Sequence, residues 1–171
     1  RSRCGRPLYP RRPLVPSHRV RAKLGYAFRM VELAEEINTA APMYVAQRVL
    51  HALNARGTTV NGASILLLGV TYKPNISDLR ESPAEPLADR LESWGALVSY
   101  HDPYVPAWQR HEHGGPVLTC VEDVYAAAAS ADVTILLQAH ASYDLRRLAA
   151  EARFLFDTRA AMPESDRVER L

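Results

Sequence analysis

Residues 65–106, ILLLGVTYKPNISDLRESPAEPLADRLESWGALVSYHDPYVP, decide the fold. Ser64 to Val70 is a short continuous apolar run, the pattern of a strand buried on both faces. It leads into a polar loop carrying Lys73, Asp78, Arg80 and Glu81. Pro83 to Trp94 then reads as a helix and Leu97 to His101 as a second strand. A strand, loop, helix and strand in that order place the charged loop at the carboxyl edge of a sheet, where open α/β folds bind ligands.

Downstream the same alternation continues. Val117 to Thr119 reads as a short strand, Val121 to Ala129 as a helix, Val133 to Leu137 as a strand, Leu145 to Ala150 as a short helix, and Arg153 to Phe156 as a last strand. Apolar strands separated by helices predict an α/β, Rossmann-like, mainly parallel sheet covered on both faces, over residues 58–171. There is no internal repeat. Upstream, Met30, Leu33, Ala34, Ile37, Ala41, Tyr44, Val45, Val49, Ala52 and Leu53 keep near a 3.6 period, with Gly57 as a stop signal. One long amphipathic helix is expected within residues 24–57. Pro42 should kink it, or divide it with Pro42 in the first turn of the second piece. Its apolar stripe exceeds what one small domain covers, so part of it is expected to seek a partner.

Composition bounds the rest. With 171 residues, 47% apolar and 23% charged, the chain can bury one proper core. No run of about 18 apolar residues could span a bilayer and no signal-peptide pattern opens the chain, so a cytoplasmic protein without membrane partners is expected. The formal charge of +2 hides an asymmetry. Residues 1–23 carry eight Arg or Lys and no acid, leaving 13 basic against 19 acidic groups in the other 148 residues. Pro7, Pro10, Pro13 and Pro16 recur every third residue there, which favours an extended, disordered tail rather than an arm for nucleic acid. Cys4 and Cys120 are too few for a disulfide framework or a zinc site. Cys120, in VLTCV, reads as a buried small hydrophobe.

Within the sheet domain, a dinucleotide cradle needs closely spaced glycines after the first strand. Gly69 is instead followed by Val70, Thr71, Tyr72, Lys73 and Pro74. Asp102, where a carboxylate would hold a ribose, therefore reads as a turn former in HDPY. Lys73 and Arg80 could bind a diphosphate without a glycine cradle. Alternatively Arg80 pairs with Asp78 or Glu81 and ties the loop down. Spacing alone leaves both open. His111 and His113 form an isolated H-x-H without further ligands, so no metal is assigned.

The 65–106 segment resembles the start of the C-terminal domain of the UDP-glucose/GDP-mannose dehydrogenase family, which oxidises the C6 hydroxyl of nucleotide sugars to a carboxylate with NAD. LGYAFRMVELAEEINTAAPMYVAQRVL resembles the family's central dimerisation helix, and ADVTILLQAHASYDL its later strand, with Gln138 and His140 on the same edge. FLFDTRAAMP, with Asp157 and Arg159, resembles its terminal strand and turn. The resemblance implies that Lys73 and Arg159 bind a UDP-sugar and that Arg80, seven residues after Lys73, contacts NAD. It leaves His140 as a structural residue. AMPESDRVERL and LLQAHASYDL resemble the family's bacterial UDP-N-acetylmannosamine dehydrogenase branch, which implies a chain complete at that end and an N-acetylated UDP-hexosamine as substrate.

The departures matter as much. Counting back from Ser17 and His18, the family's nucleophilic cysteine would fall at position 8 and its aspartate at 12, where the chain has Leu8 and Arg12. A leucine cannot form the thiohemiacetal and thioester that the second oxidation requires. No catalytic residue is therefore assigned, and the family's main NAD-binding domain is expected to be absent from this chain. A shifted reading frame in GC-rich DNA would give an arginine- and proline-rich replacement such as residues 1–18. The expectation is the substrate-binding half of a UDP-sugar 6-dehydrogenase, inactive alone, partnered as a homodimer or by a separately encoded N-terminal half. The alternative is a non-catalytic dimerising UDP-sugar-binding module or a decaying gene fragment.

Overall fold

A computed structural model describes residues 29–110 and 117–171. In chain order these form helix α1 (Arg29–Ala55), strand β1 (Ser64–Leu68), helix α2 (Ala84–Ser93), strands β2 (Leu97–His101), β3 (Ala107–Trp108) and β4 (Leu118–Thr119), helix α3 (Val124–Ser130), strand β5 (Val133–Leu136), helix α4 (Leu145–Glu151), and strands β6 (Leu155–Asp157) and β7 (Val168–Arg170). Among the described residues five strands make one sheet in the order β2-β1-β5-β6-β7, and every neighbouring pair is parallel.

The continuous apolar character of β1 follows from its central place. Side chains of a strand alternate between faces. Ile65 and Leu67 share a core with Val49 and Leu53 of α1 and with Leu87 and Leu91 of α2, whereas Leu66 and Leu68 share one with Ala128 of α3 and Leu148 of α4. Both faces are covered, as the Rossmann-like reading requires. The chain steps from β1 outward to β2, then returns to the far side of β1 at β5, so the topological switch point lies between the carboxyl ends of β1 and β5. Helix starts on the second face are chemically marked: the Asp123 carboxylate accepts the Tyr125 and Ala126 amides, and the Asp144 carboxylate accepts the Arg147 amide.

Three details differ from the sequence reading. The 117–119 segment does not join the main sheet; β4 pairs antiparallel with β3, Trp108 opposite Leu118. The buried Trp108 packs edge-to-face on Tyr100 at 5.3 Å, and the Tyr100 hydroxyl donates to the Val105 carbonyl at 3.0 Å, so this ribbon seals the outer side of β2. The strand expected at 153–156 is β6, Leu155–Asp157, and it is not the last. β7 follows it in parallel register, Leu155 opposite Val168. Val-Glu-Arg has no apolar run, and it becomes a strand because β6 offers an unpaired edge. Charged side chains suit an edge strand.

Contacts within the chain cluster into two units, divided between Ala40 and Ala41. In residues 41–55 of α1, Pro42, Val45, Ala46, Val49, Ala52 and Leu53 are buried at helical spacing. α1 runs unbroken through Pro42 rather than dividing there. The missing proline amide leaves the Asn38 carbonyl without its helical donor, a cost offset by burial of the ring. Gly57, at φ +74, donates its amide to the Asn54 carbonyl and ends the helix in the left-handed conformation. Arg48 pairs with Glu169 of β7 at 2.9 Å, and the Arg56 guanidinium lies 3.5 Å from the centre of the Phe154 ring. In residues 29–40, Met30, Leu33 and Ile37 are exposed, Met30 at 87%. No helix among the described residues is long and apolar enough to cross a membrane. The basic tail, Cys4, Leu8, Arg12, His111 and His113 lie outside the described residues.

Candidate functional site

The β1–α2 loop, residues 69–83, leaves the sheet at the switch point. Gly69 sits at φ +75, and a Cβ there would meet the Gln138 Cβ and carbonyl oxygen at 2.6 Å, so only glycine fits. The Gly69, Val70 and Tyr72 amides are already engaged, which interrupts any row of free amides. Gly69 N–H donates to the His101 carbonyl at 2.9 Å, Val70 N–H to Asp102 Oδ2 at 2.8 Å, and Tyr72 N–H to the Asp78 carbonyl at 2.8 Å. Asp102 is buried and equally engaged, accepting also the Tyr104 amide at 2.9 Å and His140 Nε2–H at 3.0 Å. This edge therefore does not fit a dinucleotide: no row of free amides faces a pyrophosphate and no free carboxylate faces a ribose.

The loop is instead pinned to the segment after β5. Gln138 Nε2 donates to the Tyr72 carbonyl at 2.9 Å, the Asn75 amide donates to His140 Nδ1 at 2.9 Å, and the Ala141 amide donates to Asn75 Oδ1 at 2.8 Å. The Thr71 hydroxyl donates to the Lys73 carbonyl at 2.9 Å. At the loop's base the Ser82 hydroxyl donates to the Val70 carbonyl at 2.7 Å and accepts the Ala84 amide at the start of α2. The Lys73 backbone is thus fixed while its ammonium is available. It lies 5.5 Å from the Tyr72 ring centre, with no ion-pair partner among the described residues.

Arg80, the other cation of this loop, forks onto Asp78. Its Nε reaches Oδ1 at 2.9 Å and its Nη2 reaches Oδ2 at 2.7 Å, while its amide also donates to Oδ1. This is the pairing that the spacing left open. The hydrogen bonds from the guanidinium, then the one from the amide, hold the Asp78 carboxyl down at about 2 and push the Arg80 guanidinium up. The Arg80 side chain nonetheless remains 86% exposed. Glu81, next to it, takes φ +59.

Arg159 stands on the loop after β6. Buried Asp157, the last residue of β6, accepts the Arg159 amide at 2.8 Å and the Met162 amide at 2.7 Å. The Arg159 side chain is exposed, and Ala160 beside it takes φ +51. β5 alone separates β1 from β6, which puts the two loop bases about 10 Å apart. Asn75, Glu81 and Ala160 are the non-glycine residues with positive φ among those described, and all lie on these two loops. Backbone strain held by its surroundings is common where ligands bind.

Sequence reasoning placed Lys73, Arg80 and Arg159 on this edge, and strand direction bears that out. It missed the buried Asp102–His140 pair and its bond to the exposed Asn75, two residues beyond Lys73. These residues are 38 and 65 positions apart, so no local signal joins them. Around them the Tyr143 hydroxyl donates to the His101 carbonyl at 2.9 Å, and burial pushes the Tyr143 phenol up and the His101 imidazole down. Cys120 is partly buried and its thiol is pushed up, again by burial.

Residues 66–164 match the model of the UDP-glucose/GDP-mannose dehydrogenase family, UDP binding domain. A UDP-glucose 6-dehydrogenase of Rhizobium meliloti is 34% identical over 64% of this chain and 24% of its own length. A UDP-N-acetyl-D-glucosamine 6-dehydrogenase of Pseudomonas aeruginosa is 28% identical over 89% of this chain and 36% of its own. The solved UDP-D-ManNAc dehydrogenase of Pyrococcus horikoshii shares the fold, with a TM-score of 0.71 over 88% of this chain and 35% of that one, at 20% identity. The chain thus spans about a quarter to a third of the length of these relatives.

Proposed function

The chain belongs to the UDP-glucose/GDP-mannose dehydrogenase family, with the family's UDP-binding domain over residues 66–164, and on that premise we propose that it is the substrate-binding and dimerisation part of an NAD-dependent UDP-sugar 6-dehydrogenase. The substrate would be a UDP-N-acetylhexosamine, whose C6 hydroxyl becomes a carboxylate, in the cytoplasm. The observation that carries this reading is Lys73: an ammonium free of ion pairs among the described residues, on a loop tied by five hydrogen bonds to the ends of β2 and β5 at the carboxyl edge. Such a cation meets a diphosphate at little ordering cost. Arg159, exposed on a loop anchored by Asp157, supplies the second contact to the UDP-sugar.

Arg80 has a different place. Its outer face is open to solvent although Asp78 holds its fork, and the resemblance to the family assigns it the contact to NAD, which is bound mainly outside the UDP-binding domain. Leu8 stands where the family's cysteine would fall, and a leucine at that position offers no nucleophile for the second oxidation. The exposed Met30, Leu33 and Ile37, at i, i+3 and i+7 within residues 29–40, form a coiled-coil-like stripe suited to a second copy of the chain.

Binding of UDP-N-acetylglucosamine and UDP-N-acetylmannosamine to the full chain, followed by calorimetry, tests the site. Lys73→Ala is expected to weaken binding about tenfold or more, Arg159→Ala by a similar factor, and Arg80→Ala far less. Equal affinity of wild type and Lys73→Ala would sink the assignment. Sedimentation tests the stripe: about twice the monomer mass is expected for the wild type, and the monomer mass for Ile37→Glu.

A further inference from the structure

We propose that His140 is a positioning residue of the UDP-sugar site: it sets the place of Lys73 by accepting the Asn75 amide, and Asp102 holds it in the one tautomer that can do so. This deepens the reading of Lys73 as the diphosphate contact and rests on it.

The tautomer follows from the partners. The Asn75 amide can only donate, so Nδ1 of His140, 2.9 Å away, must be the unprotonated nitrogen. The proton then sits on Nε2, which faces Asp102 Oδ2 at 3.0 Å, and the carboxylate fixes it there. Both side chains are fully buried, so neither has water as an alternative partner. The Tyr104 and Tyr143 rings flank the imidazole at 5.1 and 5.5 Å between centroids. Asp102 also accepts the Val70 amide, so one carboxylate ties down both the start of the β1–α2 loop and, through His140, the residue two beyond Lys73. Between these two anchor points lie only Thr71, Tyr72, Lys73 and Pro74. Asn75, held at φ +63, completes the clamp when its own side chain accepts the Ala141 amide. Loss of the Nδ1 acceptor would let the Lys73 segment relax and disperse the ammonium over several positions, which lowers affinity without removing any group that touches the ligand.

The test uses the full chain as wild type, His140→Phe and His140→Asn, each with and without Lys73→Ala. Phenylalanine fills the space and offers no polar atom, whereas asparagine keeps an acceptor where Nδ1 stands. In the ligand-free proteins, amide hydrogen exchange at Asn75 should be about tenfold faster in His140→Phe and near wild type in His140→Asn. Binding of UDP-N-acetylglucosamine should weaken about five- to tenfold in His140→Phe and less than twofold in His140→Asn. In the Lys73→Ala background His140→Phe should weaken it less than twofold further, because the histidine acts through Lys73. Equal losses in both backgrounds would mean a general structural role and overturn the proposal, as would unchanged Asn75 exchange in His140→Phe. Failure of the wild type to bind the probe would overturn the UDP-sugar reading itself, while the exchange arm still decides whether His140 holds the loop. Should His140→Phe not fold, His140→Gln, whose amide can donate to Asp102 but places no acceptor where Nδ1 stands, gives the same comparison.

Discussion

The loops after β1 and after β6 present the same kind of side chain on the same edge of the sheet, yet they are held in opposite ways. Arg159 is positioned by its own strand: Asp157, two residues earlier, accepts its amide and that of Met162. Lys73 is positioned from two other strands, by Asp102 at the end of β2 and by Gln138 and His140 after β5. A locally anchored loop can be read from a short stretch of sequence and perturbed in isolation. A loop anchored across the sheet ties its geometry to the strand order, so damage there should spread.

The largest effect should come from removing the shared carboxylate. Asp102→Ala leaves the Val70 and Tyr104 amides and His140 Nε2–H without an acceptor in a dry site, and a loss of about 3 kcal/mol or more is expected in urea unfolding. Amide exchange should speed up at Val70, Asn75 and Tyr104 together. Asp157→Ala orphans two amides and should cost about 2 kcal/mol, with faster exchange confined to Arg159, Met162 and their neighbours. An exchange pattern equally local in both variants would break the contrast between the loops.

A smaller effect sharpens it from within the first loop. The Arg80 fork holds Asp78 at about 2, below the ordinary carboxylate value of 3.8. A carboxyl depressed on folding contributes stability that is fully present above the unfolded value and is lost as pH falls through the folded one. The contribution should therefore be constant from neutral pH down to about 4 and disappear as pH falls through about 2. It should also be slight, since the pair is solvent-exposed. Titration of the Asp78 carboxyl by carbon NMR should give a midpoint near 2 in the wild type and a clearly higher one in Arg80→Ala, where only the amide of residue 80 still donates. An unchanged midpoint would show that the loop backbone, not the guanidinium, depresses it.

Much of the fold was legible because burial on both faces forces a continuous apolar run, and β1, with β5 beside it, has one. β7 was not legible, since nothing in Val-Glu-Arg distinguishes a strand until β6 offers its edge and Glu169 meets Arg48 and Arg56. The β3–β4 ribbon was equally hidden: two residues on each side carry too little pattern, and burial of Trp108 against Tyr100 decides it. In the site, the positions of Lys73, Arg80 and Arg159 on the carboxyl edge followed from element order alone. Whether Arg80 would stand free or fork onto Asp78 did not, because either satisfies the same spacing.

The sequence by itself determined the α/β alternation, the edge on which the cations stand and the absence of a glycine cradle after β1, because each is written in neighbouring residues. Only the tertiary structure decided that the buried Asp102 and His140 form one hydrogen-bonded group with Asn75, at the far end of the Lys73 segment. Their partnership exists because β2, β1 and β5 lie side by side with their carboxyl ends together, and a buried carboxylate and imidazole must find partners across that edge once water is excluded.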